Sequence, residues 1–236
     1  MNIEACLMRD SSDVTPAVVS PRMATLPERS IGGGGRRVLQ AVTWMSTTRA
    51  NSRAGLVADV AASCLLLYAG VRHSDIHPLA ALLTLFFGVA VFSFVEYGFH
   101  RWLFHGSVGI LEQGHHKHHQ QPLGHDSLPF FLPPLALLAI VGLLAMVAPM
   151  TFALLLTAGL AAGYAIYGLS HAVIHNIRFR HSLPRSWAAA HHIHHCHPGS
   201  NFGVTTPFWD MVFGTKYVSK GKGPTRGMVA ATPDEF

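Results

Sequence analysis

The chain has 236 residues, of which 50% are hydrophobic and only 12% are charged, and its formal net charge is +5. A mean hydropathy of +0.31 with so few charges indicates an integral membrane protein rather than a soluble or disordered one. The positive charge is scattered and forms no basic patch interleaved with aromatic residues, so the composition argues against a nucleic-acid-binding protein.

The first 53 residues are predicted to form a flexible leader. They mix Pro, Gly, Ser, Thr and Arg, include the run IGGGGRR at 31–37, and show no apolar period. They lack the compact apolar core of a signal peptide and carry acidic residues that a transit peptide avoids. A flexible tail is likewise expected over residues 218–236, which leaves 54–217 as the folded domain.

Four apolar segments are predicted to cross the membrane, because a helix needs roughly 20 residues to span a hydrocarbon core of about 30 Å. Asp59 lies near the start of the first segment and Glu96 near the end of the second, whereas no Asp, Glu, Lys or Arg occurs from Ser127 to Ser170. That uncharged run is long enough for two spans and favours membrane helices over buried helices of a soluble domain. The predicted spans are about 54–71, 78–99, 128–148 and 151–170.

The basic residues predict the orientation of these spans. With four spans both termini lie on one side of the membrane, and 16 of the 17 Lys and Arg residues then share that side, Arg72 being the exception. By the positive-inside rule this side is the cytoplasm. We therefore expect a multi-pass membrane protein with both termini in the cytoplasm.

The histidines follow the same asymmetry. Fifteen of the 17 histidines lie at or beyond the cytoplasmic ends of the predicted spans, and only His73 and His77 lie on the other side. They form four sets, namely HRWLFH at 100–105, HHKHH at 115–119, HAVIH at 171–175 and HHIHH at 191–195. Residues three or four apart share one face of a helix, so the last three sets each converge on a small volume and the four sets together could hold two metal ions.

Imidazole is a common ligand of Zn, Cu, Fe and Ni, and the absence of clustered cysteines argues against iron–sulfur or structural Cys-zinc sites. A histidine-rich storage tract would be one contiguous segment, whereas these sets are separated by whole hairpins. A metal transporter would place polar ligands near the middle of its spans, and these spans contain almost none.

The four sets in this order resemble the histidine boxes of the integral-membrane fatty acid hydroxylases and sterol desaturases. The resemblance extends to the flanking stretches EYGFHRWLFH, QQPLGHDSLPFFLPP and NFGVTTPFWDMVFGT, which are similar to the fatty-acid 2-hydroxylase branch of that superfamily, and it covers residues 56–217. The complete series of boxes is a specific pattern, whereas a single HxxxH is a weak one.

The resemblance implies an all-α membrane fold with four transmembrane helices and a cytosolic helical cap, over 100–127 and 171–217, that carries a dimetal site. It implies two iron ions, with zinc as a substitute in purified protein, and an O2-dependent monooxygenase acting on a lipid acyl chain. The metal ligands carried over from the boxes are His100, His105, His115, His118, His119, His171, His175, His191, His194 and His195.

Further partners follow from the same resemblance. Electrons would come from NAD(P)H through a separate donor of the cytochrome b5 or ferredoxin type, since HPGS at 197–200 has no haem-binding domain around it. Ligating histidines usually donate their second N–H to a carboxylate or carbonyl, so Glu96 and Asp126, together with Glu112 and Asp210, are candidates for that outer position. His125, His181 and His197 are expected to be surface or outer-position residues, whereas His116 and His192 neighbour predicted ligands and could exchange roles with them.

Two other functions remain open at this level. A sterol or carotenoid hydroxylase or desaturase would keep the metal site and would need a broad pocket instead of a long narrow groove. A non-enzymatic membrane protein that binds or transports zinc would have a site without an apolar channel leading to it.

Overall fold

The computed structural model describes residues 41–73, 76–106, 109–125 and 127–219, and every regular element within these ranges is a helix. Residues 41–46 are helical and precede the main elements. We label these α1 (Arg49–Arg72), α2 (Pro78–Gly98), α3 (Gly109–Gln120), α4 (Leu132–Ala145), α5 (Met150–Asn176), α6 (Ser182–Cys196) and α7 (Phe208–Val212). A π-helix, Phe99–Phe104, continues α2 without a break.

Three helical segments have the length and composition to cross a membrane, namely Arg49–Arg72, Pro78–Phe104 and Met150–Asn176. The prediction of a fourth helix of membrane length over 128–148 is wrong, because α4 has only 14 residues. At 1.5 Å per residue α4 is about 21 Å long, shorter than the hydrocarbon core. Two prolines stand in its first turn, where they block extension toward the N-terminus, and Pro149 follows its end and disfavours a helical conformation in the residue before it.

Residues on either side of α4 contact the two ends of α1. At one end the Asn51 amide donates to Ser127 Oγ at 2.9 Å and accepts from the Phe130 N–H at 3.0 Å. At the other end the Thr151 hydroxyl donates to the carbonyl of His73 at 2.6 Å. Residues 127–130, which precede α4, therefore lie at the start of α1, and the start of α5 lies at the end of α1.

The centre of the bundle is α5, which packs along both α1 and α2. Its buried face is built from small residues, including Ala158, Ala161 and Gly163. Gly159 meets Gly88 so closely that a Cβ on Gly159 would lie 2.2 Å from the carbonyl oxygen of Leu85. Small residues at such contacts let helix backbones approach one another, as is common in membrane bundles.

The domain boundaries differ from the expected ones in two places. The helix α1 begins at Arg49, so the leader expected over 1–53 overlaps the first helix. His171 and His175 lie on α5 itself rather than in the cap expected over 171–217, because α5 continues to Asn176. The leader segment 1–40, the tail segment 220–236 and Asp126 lie outside the described residues.

Candidate metal centre

The ten predicted ligand histidines converge at one end of the bundle. Nine of them form two groups in which one side-chain nitrogen from each residue lies within 4.8 Å of the others. The five-histidine group consists of His100, His105, His115, His119 and His194, and the four-histidine group consists of His118, His175, His191 and His195.

The tenth histidine, His171, belongs to neither group by this measure but adjoins the four-histidine group. Its Nε2 lies 2.9 Å from Nε2 of His118, and its ring centroid lies 5.0 Å from that of His191. The two groups are themselves contiguous, because the rings of His119 and His195 stack with centroids 4.4 Å apart. All ten predicted residues are therefore brought to one place.

The π-helix explains the first histidine set, whose spacing does not suit an α-helix. Residues five apart on an α-helix point about 140° away from each other, since each residue turns about 100°. Here the N–H of His105 donates to the carbonyl of His100 at 3.2 Å, which is the i to i+5 bond of a π-helix. Both rings therefore face the same group, with centroids 5.2 Å apart.

The other sets converge through ordinary α-helical spacing. His115 and His119 on α3 face the five-histidine group, and their Nε2 atoms lie 2.9 Å apart. His191 and His195 on α6 face the four-histidine group, with Nε2 atoms 3.1 Å apart. His118 belongs to the four-histidine group and its neighbour His119 to the five-histidine group, and on α6 the same holds for His195 and His194. The helices α3 and α6 therefore contribute to both groups.

The distances between ring nitrogens fit ligands of a common ion better than hydrogen bonds. Nε2 of His115 lies 3.0 Å from Nε2 of His100, 3.0 Å from that of His105 and 2.9 Å from that of His119. One imidazole nitrogen carries a single proton or a single lone pair, so it cannot form three hydrogen bonds. Two nitrogens at about 2.1 Å from one ion and 90° apart are separated by about 3 Å. The donor set therefore fits a bound metal.

Burial keeps the rings outside the membrane helices neutral. Desolvation, followed by repulsion from neighbouring histidines, lowers the pKa of both His115 and His118 from 6.5 to about 2. Desolvation is also the main reason that the pKa of His119 falls to about 4 and that of His194 to about 3. Neutral imidazole is the form that binds a metal, so the histidines are held in the competent state.

Two backbone carbonyls fix the tautomers of two histidines in the five-histidine group. His100 Nδ1 lies 2.5 Å from the oxygen of Phe202, and His194 Nδ1 lies 2.7 Å from the oxygen of Ser200. A carbonyl only accepts hydrogen bonds, so each Nδ1 carries the proton and each Nε2 presents its lone pair to the group. This is the outer contact that metal-ligating histidines typically make.

The loop that supplies these carbonyls is held by two buried carboxylates. Glu96 accepts from the N–H groups of Val204 at 2.7 Å and Thr205 at 3.0 Å, and also from the Thr205 hydroxyl. Asp210 accepts from the N–H groups of Phe202 at 2.8 Å and Gly203 at 2.9 Å. Glu96 is thus not a direct partner of a histidine ring, because its acceptor oxygens face the loop.

The sequence profile of the fatty acid hydroxylases matches residues 85–215, which include all ten histidines, Glu96 and Asp210. The chain belongs to the fatty acid hydroxylase family. The dihydroceramide fatty acyl 2-hydroxylase FAH2 of Arabidopsis thaliana is 30% identical over 143 residues, 55% of this chain and 58% of the relative. The ceramide very long chain fatty acid hydroxylase SCS7 of Saccharomyces cerevisiae is 29% identical over 167 residues, 64% of this chain and 42% of the relative.

A solved structure of full-length scs7p, in which only the hydroxylase domain is visible, resembles this family member in three dimensions. The TM-score is 0.60 at 26% identity, and the match covers 69% of this chain and 65% of the solved one. The chain spans about half the length of the curated relatives named above. The likeness therefore concerns the hydroxylase domain.

The remaining histidines and acids take minor positions in this hydroxylase-family domain. His116 is exposed and pairs with Gln120, His192 contacts the ring of His175 at 5.7 Å, and His197 stacks on Tyr217 at 4.6 Å. Glu112 is exposed on α3, and no hydrogen bond joins it to a histidine in the part of the chain that the structure describes. The expected outer role therefore has no support at Glu112.

Sequence reasoning missed the loop formed by residues 200–205 as a structural part of the site. Asn201 has a φ of 53°, and its side chain donates to the carbonyl of Ala190 and accepts from the N–H of Tyr217. The Arg101 guanidinium lies 6.0 Å from the ring centroid of Phe202, which adds a cation–π contact to the same loop. The signal was present in the flanking stretch NFGVTTPFWD, but nothing local shows that the carbonyl of Phe202 faces His100, 102 residues earlier in the chain.

Proposed function

We propose that this chain is a membrane-bound, non-haem di-iron monooxygenase that hydroxylates a lipid acyl chain at carbon 2. The observation that carries the proposal is the convergence of ten histidines into two adjoining groups at the end of a bundle of apolar helices. The printed activities of the relatives, fatty acyl 2-hydroxylation and ceramide fatty acid hydroxylation, belong to those proteins and support the same chemistry here.

Two bound iron ions would supply the activation of O2, and the ten histidines would hold them. The histidines of α3 and α6 serve both groups, so the two ions would be close neighbours. The chain's own contribution is to keep the rings neutral, to direct their Nε2 lone pairs inward and to keep the site away from bulk water. His100, His191 and His194 are each less than 5% exposed, which supports a dry site.

The net reaction converts one C–H bond, one O2, two electrons and two protons into one C–OH bond and one water. The electrons would come from NAD(P)H through a separate cytochrome b5-type or ferredoxin-type protein. The position of the histidines at the end of the helices suits an acyl chain that enters sideways from the bilayer. We further propose that this end faces the cytoplasm, where the positive-inside rule places the basic residues.

Lipid mass spectrometry under 18-O labelled O2 tests this proposal. A host that expresses the chain together with an electron donor should contain an 18-O labelled 2-hydroxy acyl lipid, and a host that expresses His194→Ala/His195→Ala should not. His181→Ala, which changes an exposed histidine outside both groups, should retain the product. A labelled sterol or carotenoid would contradict the acyl-chain assignment. The absence of any labelled product from the unmodified chain with its donor would contradict the oxygenase.

A further inference from the structure

The two histidine groups differ in what holds the outer ring nitrogens. In the five-histidine group the Nδ1 atoms of His100 and His194 each donate to a backbone carbonyl. Two of the five rings are therefore fixed in orientation before any ion binds.

No such contact is found for the four-histidine group within the described ranges 41–73, 76–106, 109–125 and 127–219. The Nδ1 atom of His191 is buried there and has no hydrogen-bond partner. The ring nitrogens of His118, His175 and His195 contact other histidine rings, and no backbone acceptor is found for them among the described residues. These rings keep more freedom to rotate, which an ion would have to remove when it binds.

The carbonyls that contact the five-histidine group are themselves held in place by two carboxylates. The carbonyls that hold His100 and His194 belong to the loop 200–205, and that loop is pinned by Glu96 on one side and by Asp210 on the other. Both carboxylates are buried, at 5% and 1% exposure, and Asp210 also accepts from the Thr215 hydroxyl at 2.7 Å. Since buried carboxylates with several donors are held rigidly, the loop cannot shift without breaking charge-assisted hydrogen bonds.

We propose that the two groups bind metal unequally, with the five-histidine group filling first and at least about tenfold more tightly than the four-histidine group. Outer contacts to ligating histidines are typically worth 10- to 100-fold in metal affinity, and only one group has them among the described residues. Glu96 and Asp210 are positioning residues for the tight site, because they act on its rings through the loop. The inference rests on the proposed two-metal function and adds an order of loading.

The experiment is a titration of the metal-stripped full chain in detergent with Zn²⁺. Binding is measured by isothermal titration calorimetry in the presence of a competing chelator. We expect two separate steps of one ion each, with dissociation constants at least about tenfold apart. His100→Ala should remove the tight step, and the matched variant His175→Ala should remove the weak step. Two steps of equal affinity, or a tight step that survives His100→Ala and disappears in His175→Ala, would overturn the inference.

The positioning role has its own variants. Asp210→Asn keeps the shape of the side chain but turns one acceptor into a donor that faces an N–H. We therefore expect the metal affinity of the five-histidine group to fall about tenfold and that of the four-histidine group to stay the same. Glu96→Gln, which retains one acceptor oxygen, should act on the same step in the same direction and serves if Asp210→Asn does not fold. Glu112→Gln, on the exposed face of α3, should change neither step. Equal weakening of both steps by Asp210→Asn would show a general structural role instead.

The titration separates this inference from the proposed function, because it does not measure turnover. A chain that hydroxylates lipid but binds two ions equally would leave the function intact and refute the order of loading. A chain that binds two ions in the expected order but yields no labelled lipid would support the order of loading and refute the proposed function.

Discussion

The membrane helices and the histidine cap, by which we mean the two histidine groups and the loop 200–205, are stabilised by different interactions. Where α5 meets α1 and α2, the contacts are made by glycine, alanine and leucine, and the backbones approach closely at Gly88 and Gly159. In the cap, buried polar groups are joined over long sequence distances, as when Glu96 holds Val204. Added volume should therefore damage the first region, and the loss of a polar atom should damage the second.

The largest expected effect comes from removing one histidine from each group. His194→Ala/His195→Ala should reduce the metal content of the purified chain from two ions to nearly none, because each group loses a ligand on α6. The helix content measured by circular dichroism should stay the same, since α6 is not part of the membrane bundle. Retention of both ions, measured by elemental analysis, would show that α6 does not supply ligands to the two groups.

Acid should destabilise the histidine cap of the metal-stripped chain before it affects the membrane helices. His119 has a pKa of about 4 and His194 of about 3 in the folded chain, compared with 6.5 when unfolded. Below pH 6.5 the unfolded chain gains protons that the folded chain refuses, so stability falls with pH until the folded pKa is reached. His194, which is fully buried, would cost at most about 1.4 kcal/mol per pH unit in that window, and the half-buried His119 would cost less because solvent screens its charge.

Thermal unfolding in detergent at pH 7.5, 6.5, 5.5 and 4.5 measures this effect. The melting temperature should be constant down to pH 6.5 and then fall. His119→Gln, which remains neutral throughout, should show a shallower fall than the unmodified chain. A melting temperature that does not change between pH 6.5 and 4.5 would contradict the burial of neutral histidines.

The same contrast explains how much could be predicted from the sequence. The apolar segments and the four histidine sets are local patterns, so they predicted the three long helices and the ten histidines that the fold gathers at one place. The short α4 was missed because length was judged by the absence of charge, whereas Pro133, Pro134 and Pro149 set its ends. The π-helix was missed because the HxxxxH spacing has no α-helical explanation, although it indicates an i to i+5 turn.

The loop 200–205 was beyond local reasoning for a different reason. Glu96 was predicted to be an outer partner of a histidine, but its oxygens bind N–H groups about 110 residues later in the chain. Only the folded structure shows that a carboxylate on a membrane helix reaches the histidines indirectly, through a loop. Periodicity predicts which residues share a helix face, and it carries no information on pairings of this kind.

A smaller effect is expected from adding volume to the membrane half. Gly159→Leu would place a side chain against the backbone of Leu85 and Gly88, where neither helix can move aside without losing its other contacts. We expect a loss of about 2 to 3 kcal/mol of stability, seen as a lower melting temperature and earlier aggregation in detergent. Gly142→Leu is the matched control, because a Cβ at Gly142 meets nothing within 4 Å. Equal melting temperatures for the two variants would contradict the close approach of α2 and α5.

The smallest of these effects tests the junction between the two regions. Asn51 sits at the start of α1 and is 4% exposed, and its amide donates to the carbonyl of Leu128 at 2.9 Å and accepts from the N–H of Phe130. Asn51→Ala leaves these backbone groups without their partner, which costs about 1 to 3 kcal/mol. Asn176→Ala, at an exposed position where the amide donates to the carbonyl of Ala172 in the preceding turn, should cost much less. Because the Asn51 amide ties residues 127–130 to the start of α1, faster proteolysis at 127–131 should accompany the loss of stability in Asn51→Ala. An equal rate of cleavage in Asn51→Ala and Asn176→Ala would show that other contacts hold this segment against α1.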